Sequence, residues 1–232
     1  MITFRPHIAL FSFAYAPFFG GAEIALCEIT RRLHAQFRFT CFTYWFDDAD
    51  APEEIIDGVR VIRVRAPFGS FNKLASAQGA VLYWRRFLKS FYPLLACFAA
   101  LRIHRRDPFA MTWAMMAAYG GVAALLFKLW YSRIPFFLTL QEGDDEQYIL
   151  RRVGIFYPLW KSLFMKANYI QVISNYLRDF AVRHGATCPI TVVPNGVVTG
   201  MQMSNVKCQM SNVKTMITTS RLVYKNAVDI II

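Results

Sequence analysis

The chain has 232 residues, 56% hydrophobic and 18% charged, which excludes a disordered protein and supplies enough apolar side chains for a sizeable core. Five cysteines, an odd number without a CxxC pair, argue against a disulfide framework or a zinc cluster and suit a reducing, cytoplasmic compartment. A formal net charge of +11 points to anionic partners: nucleotide phosphates, acidic lipid or nucleic acid.

The N-terminal apolar run carries Pro6 and Pro17 and has no small-residue cleavage site. It therefore reads as structure rather than as a secretory signal. Residues 7–13 form a first, central strand. Gly20, Gly21, Ala22 and Glu23 open a helix through Leu33, with Ile24, Leu26, Cys27, Ile29, Thr30 and Leu33 on its broad apolar face. Residues 39–45 are a second strand, 47–57 an acidic loop, and 59–64 a strand with Arg60, Arg63 and Arg65 on a basic face or rim. Residues 71–106 have helical period, and Pro93 breaks or kinks them into two helices.

The run 109–127 is uncharged, but its length is marginal for a bilayer, and Gly120 and Gly121 divide it. It reads as a buried strand (109–113) followed by a packed helix (117–131). Residues 135–140 are a strand entering Gln141-Glu142-Gly143-Asp144, and 146–166 a helix interrupted near Gly154 or Pro158. The stretch 168–196 is a strand, a helix begun by Ser174 and Asn175, the C′ glycine Gly185, a strand at 190–193, and the turn Pro194-Asn195-Gly196. Such alternation predicts an α/β fold with a doubly wound, Rossmann-like parallel sheet over roughly the first 195 residues.

Beyond Gly200 the texture changes. QMSNVK occurs at 202–207 and again at 209–214, a period of seven. It reads as an exposed inserted linker, with a small dimerising segment as the alternative. A strand at 215–219 and the start of a helix at Asn226 follow.

A strand ending in Ser174, a helix, Gly185, a strand and then Pro194-Asn195-Gly196-Val197 resembles the close of the N-terminal domain in glycosyltransferase family 4, which has the GT-B fold. The resemblance implies three segments: an acceptor-side N-terminal domain over 1–198, a repeat-containing linker over 199–214, and the start of a C-terminal donor-binding domain over 215–232. It implies a retaining transfer of sugar from a nucleotide-sugar to an acceptor hydroxyl in glycan or glycolipid synthesis. No metal or other cofactor is expected. On this reading the chain is a fragment, inactive alone, because the family's paired glutamates lie further along the second domain.

Gly20 and Gly21, placed after the first strand, match the family's loop against the donor diphosphate or the acceptor. A tight turn explains the same pair structurally, and Glu23 reads as helix-start charge. Gln141 stands where many members have a His that helps hold the donor sugar, and Gln cannot titrate. No general base is assigned. Glu142 and Asp144, at a strand end, are candidate cleft contacts or ordinary loop acids. Ser174 and Asn195 are a cap and a turn residue that the resemblance also places at the cleft. Val198 stands where the family usually has Asp. Arg221 and Lys225 resemble the pair that grips the donor diphosphate and stabilises the leaving group.

The basic segment with Arg85, Arg86, Lys89, Arg102, Arg105 and Arg106 interleaves Trp84, Phe87, Phe91 and Tyr92. It reads as a solvated basic face or as one lying on anionic lipid at the inner membrane surface. Nucleic-acid binding is disfavoured, since no recognised module is present. The alternative function is a non-catalytic membrane-surface or partner-binding domain. A nicotinamide enzyme is disfavoured because no GxGxxG follows the first strand.

Overall fold

The computed structural model of the chain describes residues 5–17, 20–47, 49–65 and 89–196. They form an α/β unit around an eight-stranded sheet of order β3-β4-β2-β1-β5-β6-β7-β8. The strands are β1 (His7–Phe11), β2 (Arg38–Tyr44), β3 (Glu53–Ile56), β4 (Val59–Val64), β5 (Met111–Met115), β6 (Phe136–Leu140), β7 (Tyr169–Val172) and β8 (Ile190–Val192). The helices are α1 (Gly21–Leu33), α2 (Tyr92–His104), α3 (Tyr119–Trp130), α4 (Glu146–Val153), α5 (Tyr157–Lys166) and α6 (Asn175–Arg183). Every pairing is parallel except β3 with β4.

All five residues of β1 are buried, as suits a central strand covered on both faces. On one face α1 seats Leu26 over Leu10, Cys41 and Val61. On the other, α2, α3, α5 and α6 enclose Phe11, Phe42, Phe127, Phe136 and Phe164.

The expected acidic loop at 47–57 holds a strand. β3 folds back on β4 through Asp57 and Gly58, whose φ values are +48° and +80°. Two consecutive positive φ angles make the two-residue hairpin turn that Asp-Gly favours. Arg63, expected on a basic face or rim, is also corrected. Its side chain is 2% exposed and pairs with Asp50 and Glu54. It also donates to the carbonyls of Ala51 and Ala16 at 2.8 and 3.1 Å, tying the β3–β4 edge to the loop after β1.

Other boundaries shift by one or two residues. β5 and β6 lie at Met111–Met115 and Phe136–Leu140. Pro93 sits in the first turn of α2, where its missing N–H is tolerated. The helical run after Glu146 is broken by Gly154 at φ +50°, followed by a 3₁₀ turn (Gly154–Phe156) and a new helix with Pro158 in its first turn.

Gly120 and Gly121 begin α3 rather than divide a membrane span. A Cβ on Gly120 would lie 2.6 Å from Phe11 O and 2.7 Å from Met115 O. The helix therefore rests directly on the ends of β1 and β5. Among the described residues no helix is long and apolar enough to cross a membrane.

Candidate functional site at the carboxyl edge of the sheet

Seven strands run parallel, so their carboxyl ends and the following loops share one edge. From β1 the chain goes to β2 on one side, and from β4 it crosses to β5 on the other, so the order reverses between β1 and β5. Ligands of open α/β sheets bind at such a reversal because the loops diverge there and leave a crevice.

Gly20 caps α1 in extended backbone, and its N–H donates to Glu23 Oε2 at 2.8 Å. Glu23 is thereby the helix-start charge the sequence suggested. Among the described residues a Cβ added to Gly21 meets nothing within 4 Å, and Gly21 has no positive φ. Neither packing among the described residues nor backbone conformation requires glycine there.

Gln141 and Asn195 are 54 residues apart and exchange two amide hydrogen bonds, each 3.2 Å. This reciprocal pair ties the loop after β6 to the loop after β8. Glu142 reaches the other way, and its Oε1 accepts the Ala117 N–H beyond β5. Met116, at φ +68°, turns the chain out of β5 immediately before that contact. The Oε2 of Glu142 is sealed from solvent and has no hydrogen-bond partner among the described residues. Burial pushes the carboxyl up to about 7, against the opposing pull of the backbone N–H groups of Ala117, Glu142 and Gln141. The dipeptide Gln141-Glu142 thus connects three loops of one edge.

The sequence profile of Glycosyltransferase Family 4 matches residues 19–200, more than half of the chain. The chain belongs to glycosyltransferase family 4. Sucrose-phosphate synthase from Thermosynechococcus elongatus superposes with a TM-score of 0.56 at 14% identity, over 83% of this chain and 49% of that one. A segment of the same synthase gives 0.57 at 15% identity, over 82% of this chain and 89% of the segment. MurG from Acinetobacter baumannii aligns at 14% identity over 74% of this chain and 42% of its own, with a TM-score of 0.39. At such identities the synthase likeness shows the fold alone, and the chain spans about half of the full synthase chain. No curated protein matches. The fold is the doubly wound, Rossmann-like N-terminal half of a GT-B glycosyltransferase.

Within this family 4 domain the remaining candidates are placed as follows. Asp144 lies exposed in the loop before α4, one residue ahead of Asp145, which caps that helix by accepting from Gln147 N. Ser174 caps α6, its Oγ accepting from Leu177 N at 3.3 Å. Arg221, Lys225, Arg85, Arg86 and the repeat at 202–214 lie outside the described residues. Among the described residues no group of three His, Cys, Asp or Glu is arranged to hold a metal ion. An apolar hollow of about 290 Å³, lined by Met111, Phe136, Phe137 and Tyr169 among others, opens at the opposite, amino edge of β5–β7 and is separate from this site.

The sequence reading passed over one further feature of this edge. Phe13, just beyond β1, stacks on Tyr119 at the start of α3, with ring centroids 4.5 Å apart. The only sequence signal is an aromatic residue at the end of the first predicted strand and another near the start of the helix predicted at 117–131.

Proposed function

We propose that this family 4 domain serves a retaining hexosyltransferase, moving a sugar from a nucleotide-sugar donor to an acceptor hydroxyl in glycan or glycolipid synthesis. The observation that carries the reading is Gly21. The described residues give no reason for glycine at the first position of α1, and a ligand beside it would supply one. The N–H groups of the first turn and the positive end of the helix dipole favour a diphosphate at that position. Arg221 and Lys225 would add fixed charge as the bond from the anomeric carbon to the diphosphate breaks. The Gln141–Asn195 pair would present amide groups to sugar hydroxyls, with Glu142, Asp144 and Ser174 as neighbouring contacts. None of these roles needs a metal.

The test uses the full-length enzyme, a panel of nucleotide-sugars and candidate acceptors, with nucleotide release and product anomer as readouts. Retention at the anomeric carbon is expected. Gly21→Val should cut kcat/KM by about tenfold or more while the thermal midpoint stays within a degree or two, because the new side chain occupies ligand space and no protein space. Full turnover by Gly21→Val, or product of inverted configuration, would sink the reading.

A second reading, membrane-surface docking, is favoured by one observation. Leu94, Phe98, Arg102 and Arg105 are exposed along α2, with spacings of four, four and three that put them on one helix face. An apolar stripe continued by cations suits the surface of an anionic bilayer. Docking of this kind is compatible with catalysis on a lipid-linked acceptor, and it would also suit a non-catalytic domain.

A further inference from the structure

The crevice between β1 and β5 carries a cationic aromatic cluster that the donor reading does not use. Phe13 and Tyr119 stack with an interplanar angle of 25°. Arg152, near the end of α4, lies over the Tyr119 ring at 5.5 Å from its centroid, and its Nη2 donates to the Tyr119 hydroxyl at 3.0 Å. Lys89 holds its Nζ 5.8 Å from the centroid of Phe13. Two cations from segments 63 residues apart therefore converge on one aromatic pair.

The contacts say what the cluster is built to take. Arg152 is exposed, and among the described residues no carboxylate forms an ion pair with it. Asp144 acts on it only as a nearby charge. A guanidinium has five N–H donors, and the tyrosine uses one. Ring and hydroxyl together hold the guanidinium in place, so little side-chain freedom remains to be lost when an anion binds. Tyr119 is also the first residue of the twelve-residue helix α3, whose positive end faces the same crevice. A planar fork, a point-charge ammonium and a helix N-terminus suit a phosphate group, which accepts bidentate bonds from arginine.

We infer that Arg152, oriented by Tyr119 and supported by Lys89, forms a subsite for a phosphate group carried by the acceptor. The word acceptor rests on the glycosyltransferase reading; the phosphate site does not. It is distinct from the Gly20–Gly21 loop. Phe13 and Tyr119 pack on the core under α3, whereas α1 packs on the opposite face of the sheet.

The experiment is calorimetric titration of the chain with inorganic phosphate, with circular dichroism as a folding control. Arg152→Gln should weaken binding about tenfold, the loss expected for one charge-assisted contact. Tyr119→Phe keeps the ring but removes the hydroxyl, and should give a smaller loss. Arg151→Gln, an exposed neighbour on the same helix, should bind as the parent does, whereas Gly21→Val, which alters the proposed donor site, should leave the Arg152-dependent part of the binding in place. Titration with a sugar phosphate and with a short alkyl phosphate then separates a saccharide acceptor from a lipid-borne one. Absence of phosphate binding overturns the inference. Equal losses in Arg151→Gln and Arg152→Gln also overturn it, since they mean diffuse charge. A loss confined to Gly21→Val overturns it too, while leaving the donor reading intact. Phosphate binding with the expected variant pattern, in an enzyme that turns over no nucleotide-sugar, would keep the subsite and discard the transferase.

Discussion

Glu142 places one carboxylate oxygen on the Ala117 N–H and seals the other from water, without a partner among the described residues. Its folded-state carboxyl, pushed to about 7 by burial, lies above the 4.5 of an unperturbed glutamate. The folded protein therefore binds this proton more tightly than the unfolded chain does. The stabilisation is fully present below about pH 4.5 and is lost as pH rises through about 7. Glu142→Gln keeps an oxygen for the Ala117 N–H but cannot titrate. The variant should gain stability relative to the parent between pH 5 and pH 8, by on the order of 3 kcal/mol at the upper end. Denaturant midpoints measured for both proteins across that range check it. Parallel curves would show that the carboxyl is solvated and its burial irrelevant. Part of the site's composition was legible in sequence, since Gln141, Glu142 and Asn195 are polar residues at strand ends. Their contacts were not, because each partner lies 25 or 54 residues away.

At the scale of elements, α3 shows how a local signal takes its meaning from packing. Gly120 and Gly121 look like a break in an apolar run, since glycine is a poor helix former. Instead they let the first turn of α3 settle on the backbone of β1 and β5, with carbonyl oxygens where side chains would be. Gly120→Ala should therefore destabilise the domain by about 2 kcal/mol, within the usual range for overpacking, despite the better helix propensity of alanine. A thermal melt decides it, and a stabilised variant would mean that α3 does not sit this close. The hairpin β3–β4 is the converse case. Asp57-Gly58 is a strong turn signal, but the acidic and proline-containing stretch before it masked the short strand Glu53–Ile56. Arg63 was misplaced for a related reason. Alternation along β4 assigns it a face, but only the folded hairpin brings Asp50 and Glu54 to cover it.

The whole molecule carries 26 Lys and Arg against 15 Asp and Glu, and the stripe Leu94–Phe98–Arg102–Arg105 gives part of that excess an orientation on α2. If α2 docks on membranes, co-sedimentation should require vesicles with acidic lipid. It should weaken as salt rises from 0.05 to 0.5 M (about 14 to 4 Å of screening length) and fall several-fold in the Arg102→Glu/Arg105→Glu variant. Equal binding to neutral vesicles would reject the electrostatic account. The expected linker at 199–214 and the expected diphosphate-binding pair Arg221 and Lys225 lie outside the described residues.

The sequence by itself determined the α/β class, most of the strand and helix positions, and the helix caps. Those features depend on residues a few positions apart: apolar period, Ser174 before α6, Gly185 after it, and the Gly20–Gly21 opening of α1. It also carried the family, through the ordered run from Ser174 to Gly196. Only the tertiary structure decided which loops meet. Parallel pairing and the reversal between β1 and β5 gather residues 13, 89, 119 and 152 at one crevice and bond 117 to 142 and 141 to 195. No local pattern encodes such contacts, because strand order follows from how the two helix layers bury their apolar faces, and chain order does not fix it.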